Sequence, residues 1–297
     1  MKKCCVIGLG SMGLGIAQSA FRTGHAVWGA DIDANQTATF QAQGGQTGDL
    51  KTALPELDVA VIVVLNAAQT EAVLFGYDGI VQNMRKGSVI VACATVPPEF
   101  AKRMSAACEA CEIHYLDAPI SGGSLKAASG QLSIMASGTP EAFDAARPIL
   151  KSIAETVFEL GDAAGAGSAM KAVNQLLAGV HIAAMAEALT FGMTQGVSPE
   201  NFVKVISKCA GTSWMLENRA PHIVDGDYTP HSQVNIWPKD LGIVLDIAKS
   251  AQFGAPITAA AMQQFLAAAG MGLGGEDDAA IAKVYAKNAG LTLPGTA

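Results

Sequence analysis

Short, almost uninterrupted apolar runs alternate with helix-forming segments through the first half of the chain. The apolar runs lie at 4–7, 26–30, 59–65 and 88–92, and the segments at 114–116, 132–136 and 156–159 look like further strands. Runs of this kind are typical of strands covered on both faces, as in a parallel sheet flanked by helices. Helical segments are predicted between them at 13–23, 34–42, 69–75 and 99–111. The alternation predicts an α/β fold with a doubly wound, Rossmann-type sheet.

The pattern changes near Gly161, after which the sequence has almost no strand character. Long helices are predicted at 168–195, 199–209, 239–251, 257–269 and 279–289, separated by glycine and proline residues. The chain has 297 residues, which exceeds a typical single domain, so two cores are expected. We predict a Rossmann-type domain at residues 1–162 followed by an all-α domain at residues 163–297.

Composition and charge limit the classes of partner. Hydrophobic residues make up 50% of the chain and charged residues 15%, as in a compact globular protein. The formal net charge of −7 argues against nucleic-acid binding, which requires a basic surface. The apolar segment 182–189 is interrupted by Glu187, and no uncharged apolar run is long enough to span a membrane. No signal peptide is recognised, so we expect a cytoplasmic protein without nucleic-acid or membrane partners.

The six cysteines give little indication of chemistry. Cys108 and Cys111 form a single C-x-x-C on a predicted helix. A zinc site would need a second pair or histidines at ligand spacing, and a thioredoxin-like motif would lie elsewhere in its fold. We therefore expect reduced thiols and no metal site, with a redox or metal role as the less favoured alternative.

The segment Gly8-Leu9-Gly10-Ser11-Met12-Gly13 has the G-x-G-x-x-G spacing, with a predicted strand before it and a helix after it. The first glycine permits a tight turn, the second lets a pyrophosphate approach the backbone, and the third lets helix and strand pack closely. The pyrophosphate would then lie on free N–H groups at a helix N-terminus. These residues predict a dinucleotide site, with a tight turn that binds no ligand as the alternative.

The carboxylate of Asp31 indicates which dinucleotide binds. Asp31 closes the second strand, 18 residues after Gly13. A carboxylate at this position accepts both ribose hydroxyls of NAD and repels the 2′-phosphate of NADP. No arginine or lysine lies at 32–36, so NAD is the predicted cofactor. Asp33 is the competing carboxylate, and we assign it to helix capping.

Two further loops follow strands of the predicted sheet and should face the same cofactor. The first contains Leu65, Asn66 and Gln69, and the second contains Thr95. Ligands of open α/β sheets bind at the carboxyl ends of the strands, which is where these residues lie. For Asn66 and Gln69 a role as turn and helix-cap residues is the alternative.

The segment Ser121-Gly122-Gly123 leaves another predicted strand. Consecutive backbone N–H groups and a hydroxyl in such a turn are able to bind an anion. The alternative is an ordinary flexible loop.

Lys171, Asn174 and Gln175 lie at i, i+3 and i+4 of the longest predicted helix and therefore share one face. Apolar residues line the rest of that face, so the lysine is not a typical surface charge. A neutral lysine here could exchange a proton with a substrate hydroxyl. Without further context, a solvated lysine at a helix start is the alternative.

Taken together, these motifs resemble those of the β-hydroxyacid dehydrogenases. The resemblance covers nearly the whole chain, because four motifs occur in the same order and at similar spacing. They are the glycine fingerprint, the D-A-P-x-S-G-G block at 117–123, the G-x-x-x-G-x-G-x-x-x-K-x-x-N block at 161–174, and Lys-Asp-Leu-Gly at 239–242. The resemblance implies a nicotinamide-dependent dehydrogenase that assembles as a homodimer or homotetramer, with its helical domain serving substrate binding and oligomerisation.

The resemblance also implies roles for individual residues. Ser121, Gly122 and Gly123 would bind the substrate carboxylate, and Lys171 would be the acid–base residue. Asn174 would orient the substrate, and Lys239 would border both nicotinamide and substrate. Gln175 is placed with the substrate-binding residues.

The sequence departs from the family pattern at a few positions, which leaves the substrate open. Gln175 stands where the family often has a second asparagine, and residues 92–95 lack the acidic residue that often precedes the Ser/Thr loop. Segments 64–69 and 171–181 look most like enzymes that oxidise four-carbon sugar acids. His181 could bind a distal hydroxyl, or it could be a satisfied core histidine. The alternatives are oxidation of a branched hydroxy acid, reduction of a semialdehyde, and a catalytically silent NAD-binding module.

Overall fold

The computed structural model describes residues 1–296, so Ala297, the last residue of the predicted helical domain, lies outside the described residues. The chain divides into two compact units, Met1–Lys171 and the residues from Ala172 onward. The division falls inside one long helix, Ala166–Thr194.

The first unit contains a five-stranded parallel sheet in the order β2-β1-β3-β4-β5, which confirms the predicted Rossmann-type fold. Its strands are β1 (Lys3–Ile7), β2 (Ala26–Ala30), β3 (Val59–Ile62), β4 (Val89–Ala92) and β5 (His114–Asp117). Its helices are α1 (Gly13–Arg22), α2 (Ala34–Ala42), α3 (Leu50–Ala53), α4 (Ala67–Phe75) and α5 (Pro98–Glu109), with 3₁₀ turns at Leu54–Glu56 and Val81–Asn83. β3 is shorter than predicted because its last residue, Ile62, pairs with Ile7, where β1 also ends.

Helices cover both faces of this sheet, and the burial of β4 shows why its sequence is apolar throughout. Val89 and Val91 belong to one hydrophobic cluster, together with Phe40 of α2. Ile90 and Ala92 belong to the cluster on the other face. Successive side chains of a strand point to opposite faces, so a strand with two buried faces has no polar positions.

A second, three-stranded sheet completes the first unit, in the order β6-β7-β8. It contains β6 (Ile120–Ser121), β7 (Leu132–Ala136) and β8 (Ala154–Glu159), and the helices α6 (Gly123–Ser129) and α7 (Pro140–Ile153) lie between them in the chain. β6 pairs antiparallel with β7, and β7 pairs parallel with β8. The sequence interpretation placed β7 and β8 in one sheet with the others and did not include α7. The signal for α7 was present, because Thr139 caps its N-terminus and Pro140 occupies its first turn.

The second unit is helical, as predicted. Its elements are the greater part of α8 (Ala166–Thr194), then α9 (Pro199–Ile206), α10 (Trp214–Asp225), α11 (Ile236–Ser250), α12 (Pro256–Ala268) and α13 (Ala282–Asn288), with a π-helical turn at Ala269–Leu273 and a 3₁₀ turn at Asp278–Ile281. α10 was not predicted, although Ser213 caps its start and Gly226 ends it in the left-handed conformation. Within residues 1–296, α8 alone has the length and composition of a membrane span, with mean hydropathy 1.5, a property that core helices of soluble proteins share.

Buried charges fix the start of α11 within this unit. The fully buried carboxylate of Asp278 accepts hydrogen bonds from the Arg219 guanidinium and from Trp237 Nε1, the latter at 3.0 Å. Burial raises the pKa of the Asp278 carboxyl, and the adjacent guanidinium opposes that rise. Trp237 lies in the first turn of α11 and also stacks on the ring of Phe265. These contacts hold the helix that carries Lys239.

A buried carboxylate, Asp117 at the end of β5, organises the start of α8. It accepts the N–H groups of Gly165 and Ser168, at 3.0 and 2.8 Å, and the hydroxyl of Ser168 at 2.7 Å. Ser137 donates a longer hydrogen bond to the same carboxylate and accepts the N–H of Gly167 at 2.9 Å. The first N–H groups of a helix have no partner within the helix, so side chains from β5 and the end of β7 take that role here.

The backbone around Asp117 is equally constrained. Asp117 and Ser137 exchange two backbone hydrogen bonds, of 3.0 and 2.8 Å, and this bridge joins the two sheets of the unit. Gly167 packs directly on it, because a Cβ atom there would lie 2.4 Å from the carbonyl oxygen of Met135. Burial raises the pKa of the Asp117 carboxyl, while hydrogen bonds from Ser168, Gly165 and Ser137 oppose that rise.

Replacement of Asp117 should therefore destabilise the protein. The loss should depend mainly on whether the new side chain keeps an oxygen atom that accepts the two N–H groups, and less on whether it keeps the negative charge. Asp117→Ala leaves two buried N–H groups without an acceptor, and we expect a loss of about 2–5 kcal/mol in the free energy of unfolding. Asp117→Asn keeps an oxygen for both N–H groups, and its Nδ2 is able to donate to a rotated Ser168 hydroxyl. We expect this variant to lose less than half as much. Urea unfolding measures both changes.

The matched control is Asp33→Ala, which removes the exposed carboxylate that caps α2. Loss of an exposed cap costs about 1 kcal/mol. Equal losses for Asp117→Ala and Asp33→Ala would contradict the role assigned to Asp117.

Candidate active site

The carboxyl ends of all five parallel strands lie at one edge of the larger sheet, and the predicted cofactor residues follow these ends. The glycine segment 8–13 follows β1, and Asp31 follows β2. Leu65 and Asn66 come after β3, and Thr95 comes after β4. The chain crosses from one side of the sheet to the other between β1 and β3, and open α/β sheets bind ligands at such a point.

The glycine segment has the geometry that its spacing predicted. Gly8 has a φ of +92°, which few other residues adopt, and its N–H donates to the carbonyl oxygen of Ala30 at 2.9 Å. A Cβ atom on Gly13 would lie 1.7 Å from the carbonyl oxygen of Gly8, so only glycine is possible there. α1 begins at Gly13, and Met12 before it provides no side-chain cap. The Leu14 N–H donates to the Gly10 carbonyl oxygen at 3.0 Å, and the other N–H groups of this helix start are suited to bind a phosphate.

Asp31 is held against this segment. Its Oδ2 accepts the N–H of Leu9 at 2.5 Å, and its Oδ1 accepts the N–H of Asp33 at 2.8 Å. Each carboxylate oxygen has a second lone pair, which remains able to accept a ribose hydroxyl. The Asp33 side chain accepts the N–H of Asn35 and caps α2, which confirms the capping assignment.

The loop after β3 uses its polar side chains locally. Asn66 caps α4 by accepting the N–H of Gln69 at 2.9 Å, and Gln69 Oε1 accepts the N–H of Leu65 at 2.8 Å. The two amide oxygens therefore stabilise the helix start, as the alternative interpretation held. A contact with a cofactor is open to the amide nitrogens, to the second lone pair of each amide oxygen and to the exposed Leu65. Thr95 lies half-buried in the loop between β4 and α5.

Lys171 and the Ser-Gly-Gly segment come together in the first unit. Ser121 ends β6, and Gly122 and Gly123 follow with positive φ angles of 135° and 78°. Lys171 is 8% exposed, and its Nζ donates to the carbonyl oxygen of Ile120 at 2.8 Å. Since Ile120 directly precedes Ser121, the amine lies next to the start of the segment that was predicted to bind a carboxylate. The arrangement can place a proton acceptor beside a bound anion.

The remaining predicted substrate residues lie in the second unit, where they form one hydrogen-bonded chain. Asn174 Nδ2 donates to Gln175 Oε1 at 2.9 Å, and Gln175 Nε2 donates to Asp240 Oδ2 at 2.5 Å. Lys239 forms an ion pair with Asp240 Oδ1 at 2.8 Å. Gln175 and Asp240 are buried, and Asn174 and Lys239 are half-buried.

The sequence interpretation missed two carboxylates that hold these residues in place, Asp117 and Asp240. Each lay inside a motif that had been recognised, Asp117 at the start of the D-A-P block and Asp240 directly after Lys239. Their pairing with α8 spans 51 residues for Asp117 and 65 for Asp240, and no local pattern shows such a contact.

The Cys108 thiol of the C-x-x-C pair is buried, which disfavours its reactive thiolate form. Burial raises the pKa of the Cys108 thiol to about 12, with smaller contributions from Cys111 and Glu109. All six cysteines are free. Among residues 1–296, no group of three or more His, Cys, Asp or Glu side chains is arranged to hold a metal ion.

Comparisons with known proteins agree with this architecture. The family profile described as the NAD binding domain of 6-phosphogluconate dehydrogenase matches residues 3–161. The profile described as NAD-binding of NADP-dependent 3-hydroxyisobutyrate dehydrogenase matches residues 165–285. The two profiles together cover most of both units.

Individual relatives match over almost their whole length. The chain is 48% identical to the L-threonate dehydrogenase of Cupriavidus necator, over 98% of each chain. It is 42% identical to the L-threonate dehydrogenase of Escherichia coli, over 98% of this chain and 96% of that one. A crystal structure described as 3-hydroxyisobutyrate dehydrogenase from Salmonella typhimurium superposes with a TM-score of 0.91 at 42% identity, covering 96% of this chain and all of that one. The chain therefore belongs to the β-hydroxyacid dehydrogenases, the nicotinamide-dependent oxidoreductases that its motifs predicted.

Proposed function

We propose that this enzyme oxidises a polyhydroxylated four-carbon acid, L-threonate, with NAD, and that Lys171 is its general base. The observation that carries the proposal is the placement of a buried lysine amine beside the Ser121-Gly122-Gly123 segment. The names of the two relatives with 48% and 42% identity support L-threonate as the substrate.

The cofactor site is argued from the glycine segment. A Cβ atom on Gly13 would lie 1.7 Å from the Gly8 carbonyl oxygen, so glycine is required there for α1 to pack on the turn, and the space around Gly10 is open for the approach of a pyrophosphate. Gly8, Gly10, Ser11, Met12 and Gly13 would bind the pyrophosphate. Leu65, Asn66, Gln69, Thr95 and Lys239 would contact the rest of the dinucleotide. Bound NAD supplies a hydride acceptor, and the protein supplies orientation and proton transfer.

Asp31 supports NAD over NADP. Its two oxygens are fixed by the N–H groups of Leu9 and Asp33, so the carboxylate is already oriented at the end of β2. A fixed carboxylate accepts ribose hydroxyls and repels an added phosphate.

The chain's own residues would act on the substrate as follows. The N–H groups and hydroxyl of Ser121-Gly122-Gly123 bind the carboxylate and fix the orientation of the acid. Neutral Lys171 accepts the proton of the hydroxyl that is oxidised, and the Ile120 carbonyl accepts a hydrogen bond from its Nζ throughout. Asn174, Gln175 and Lys239 contribute polar contacts to the other hydroxyls and to the carboxylate.

Oxidation of 3-hydroxyisobutyrate is the second candidate, because a solved structure with that name superposes at 42% identity. The hydrogen-bonded series from Asn174 to Asp240 favours the polyhydroxylated substrate, because it turns Asn174 Oδ1 away from Gln175, and a branched aliphatic acid has no second hydroxyl to donate to that oxygen. Reduction of tartronate semialdehyde uses the same residues in the reverse direction. A silent NAD-binding module would not require the buried amine of Lys171.

We also propose that the enzyme is cytoplasmic and forms a homodimer or homotetramer through α8. Val173, Leu177 and Phe191 are 54%, 50% and 66% exposed. Val173 and Phe191 are 18 residues apart, which is five full turns, and Leu177 lies within 40° of both. An exposed apolar stripe of this length on one helix is typical of a surface covered by another subunit.

The oligomer is tested by light scattering of the purified enzyme. We expect a mass two or four times that of one chain, and a smaller species for Phe191→Glu. Tyr77→Glu is the control, because Tyr77 is a fully exposed aromatic residue of the first unit and its variant should keep the wild-type mass. A single-chain mass for the wild type would contradict the proposal.

Removal of the general base should affect turnover far more than cofactor binding. Lys171→Ala should lower kcat by about 10²–10⁴-fold, the usual contribution of a positioned acid–base group. Lys171→Arg should not restore activity, because a guanidinium does not give up its proton near neutral pH. The Kd for NAD, measured by fluorescence titration, should change little. An alanine variant with most of its turnover would show that Lys171 only binds substrate.

Substrate and cofactor preferences are measured together. We expect kcat/KM for L-threonate to exceed that for 3-hydroxyisobutyrate, because a site built to bind hydroxyls discriminates strongly against analogues that lack them. We also expect NAD to be preferred over NADP, and Asp31→Ala to lose much of that preference. The opposite substrate order favours the second candidate, and a wild-type preference for NADP would contradict the role of Asp31.

A further inference from the structure

In the second unit, Asn174, Gln175 and Asp240 are linked by hydrogen bonds. This series ends at the carboxylate of Asp240, which can only accept hydrogen bonds. Asp240 is 2% exposed and forms an ion pair with Lys239 at 2.8 Å. An ionised carboxylate has no hydrogen to donate, so any amide that binds it must present its nitrogen. Gln175, which is 7% exposed, presents Nε2 to Asp240 Oδ2 at 2.5 Å.

This requirement determines the orientation of the next amide. With Nε2 bound to Asp240, Gln175 Oε1 points to the other side and accepts from Asn174 Nδ2 at 2.9 Å. One hydrogen of Asn174 Nδ2 is therefore bound to Gln175, and Asn174 Oδ1 faces away from Gln175 Oε1. Asparagine and glutamine amides are otherwise free to exchange their oxygen and nitrogen by a half-turn. Here the fixed charge of Asp240 excludes the reversed arrangement.

On the basis of the substrate site proposed above, we propose that Asp240 is a positioning residue for substrate specificity. Through Gln175 it fixes the amide of Asn174 so that Oδ1 is presented as an acceptor, and Asn174 thereby selects an acid with a hydroxyl that donates to it. The ligand class is a hydroxy acid with at least one hydroxyl besides the one that is oxidised.

The length of the Gln175 side chain is required for this arrangement of hydrogen bonds. Gln175 lies on α8 and Asp240 lies on α11, and the side chain bridges the two helices. Asparagine at this position is one methylene shorter, so it would not reach Asp240 with the same backbone. The substitution of glutamine for the asparagine that the family often has therefore links Asn174 to the residue beside Lys239.

Two isosteric variants test this arrangement. Each changes which atoms donate and accept hydrogen bonds without changing the shape of the side chain. Gln175→Glu replaces the Nε2 donor with an oxygen that faces Asp240. Asp240→Asn introduces a donor, which allows both neighbouring amides to turn over. Asp246→Asn is the matched control, because Asp246 lies exposed on the same helix. Thermal unfolding and the Kd for NAD verify that each variant is folded.

The readout is a ratio of kcat/KM values for L-threonate and its 2-deoxy, 3-deoxy and 4-deoxy analogues. We expect the wild type to prefer L-threonate over one of the analogues that keep the reacting hydroxyl by about 10- to 100-fold, the effect of one lost hydrogen bond to a buried partner. In Gln175→Glu and Asp240→Asn this ratio should fall towards one, and in Asp246→Asn it should remain. A general structural defect would lower kcat/KM for both substrates equally and leave the ratio unchanged.

An error in the proposed substrate and an error in the proposed role of Asp240 would give different results. If L-threonate is not oxidised, the proposed substrate is wrong, and the same ratio is measured with the best hydroxy acid of the panel and its deoxy analogues. If the wild type shows no preference for the extra hydroxyl, or if both variants keep the wild-type ratio, Asp240 does not set the orientation of Asn174.

Discussion

The hydrogen bonds to the buried carboxylate of Asp117 are the constraint on which the rest of the first unit depends. The same carboxylate lies at the junction of the two sheets and accepts N–H groups from the first turn of α8. Lys171 is one turn further along α8, and its amine reaches the carbonyl of Ile120, three residues after Asp117. One buried group thus sets the position of Lys171 relative to the segment that follows Ile120. Neither Lys171 nor the segment after Ile120 is free to move without breaking buried hydrogen bonds.

A second buried carboxylate, Asp240, has a comparable place in the helical unit. Asp117 accepts two backbone N–H groups besides two hydroxyls, whereas the partners of Asp240 are side chains, and this difference bears on the proposed function. Backbone donors fix where a helix begins, but side-chain amides also have an orientation that must be chosen. By binding both Gln175 and Lys239, Asp240 fixes that choice. The start of α11 is itself held by Trp237 and the buried Asp278, so Asp240 lies three residues after an anchored position of the same helix.

Much of this could be predicted from the sequence, because the signals were local. Apolar runs identified the strands of the larger sheet, and the spacing of Gly8 and Gly13 identified the turn that their geometry requires. What local patterns could not show was the division of the strands into two sheets, since β7 is as apolar as strands of the larger sheet. They also could not show that Asp117 and Asp240 pair with α8, because these contacts join residues 51 and 65 positions apart. α7 and α10 were missed although their capping residues were visible.

In the proposed reaction the neutral amine of Lys171 takes the proton of the oxidised hydroxyl. Chemical rescue of Lys171→Ala tests it most directly, because a small amine in solution can replace the missing group while a guanidinium ion cannot accept a proton near neutral pH. NADH formation by this variant should accelerate with increasing concentration of methylamine or ethylamine, more strongly at higher pH, and should not respond to guanidinium. Equal stimulation by guanidinium, or no response to any amine, would contradict the assignment of Lys171 as the general base.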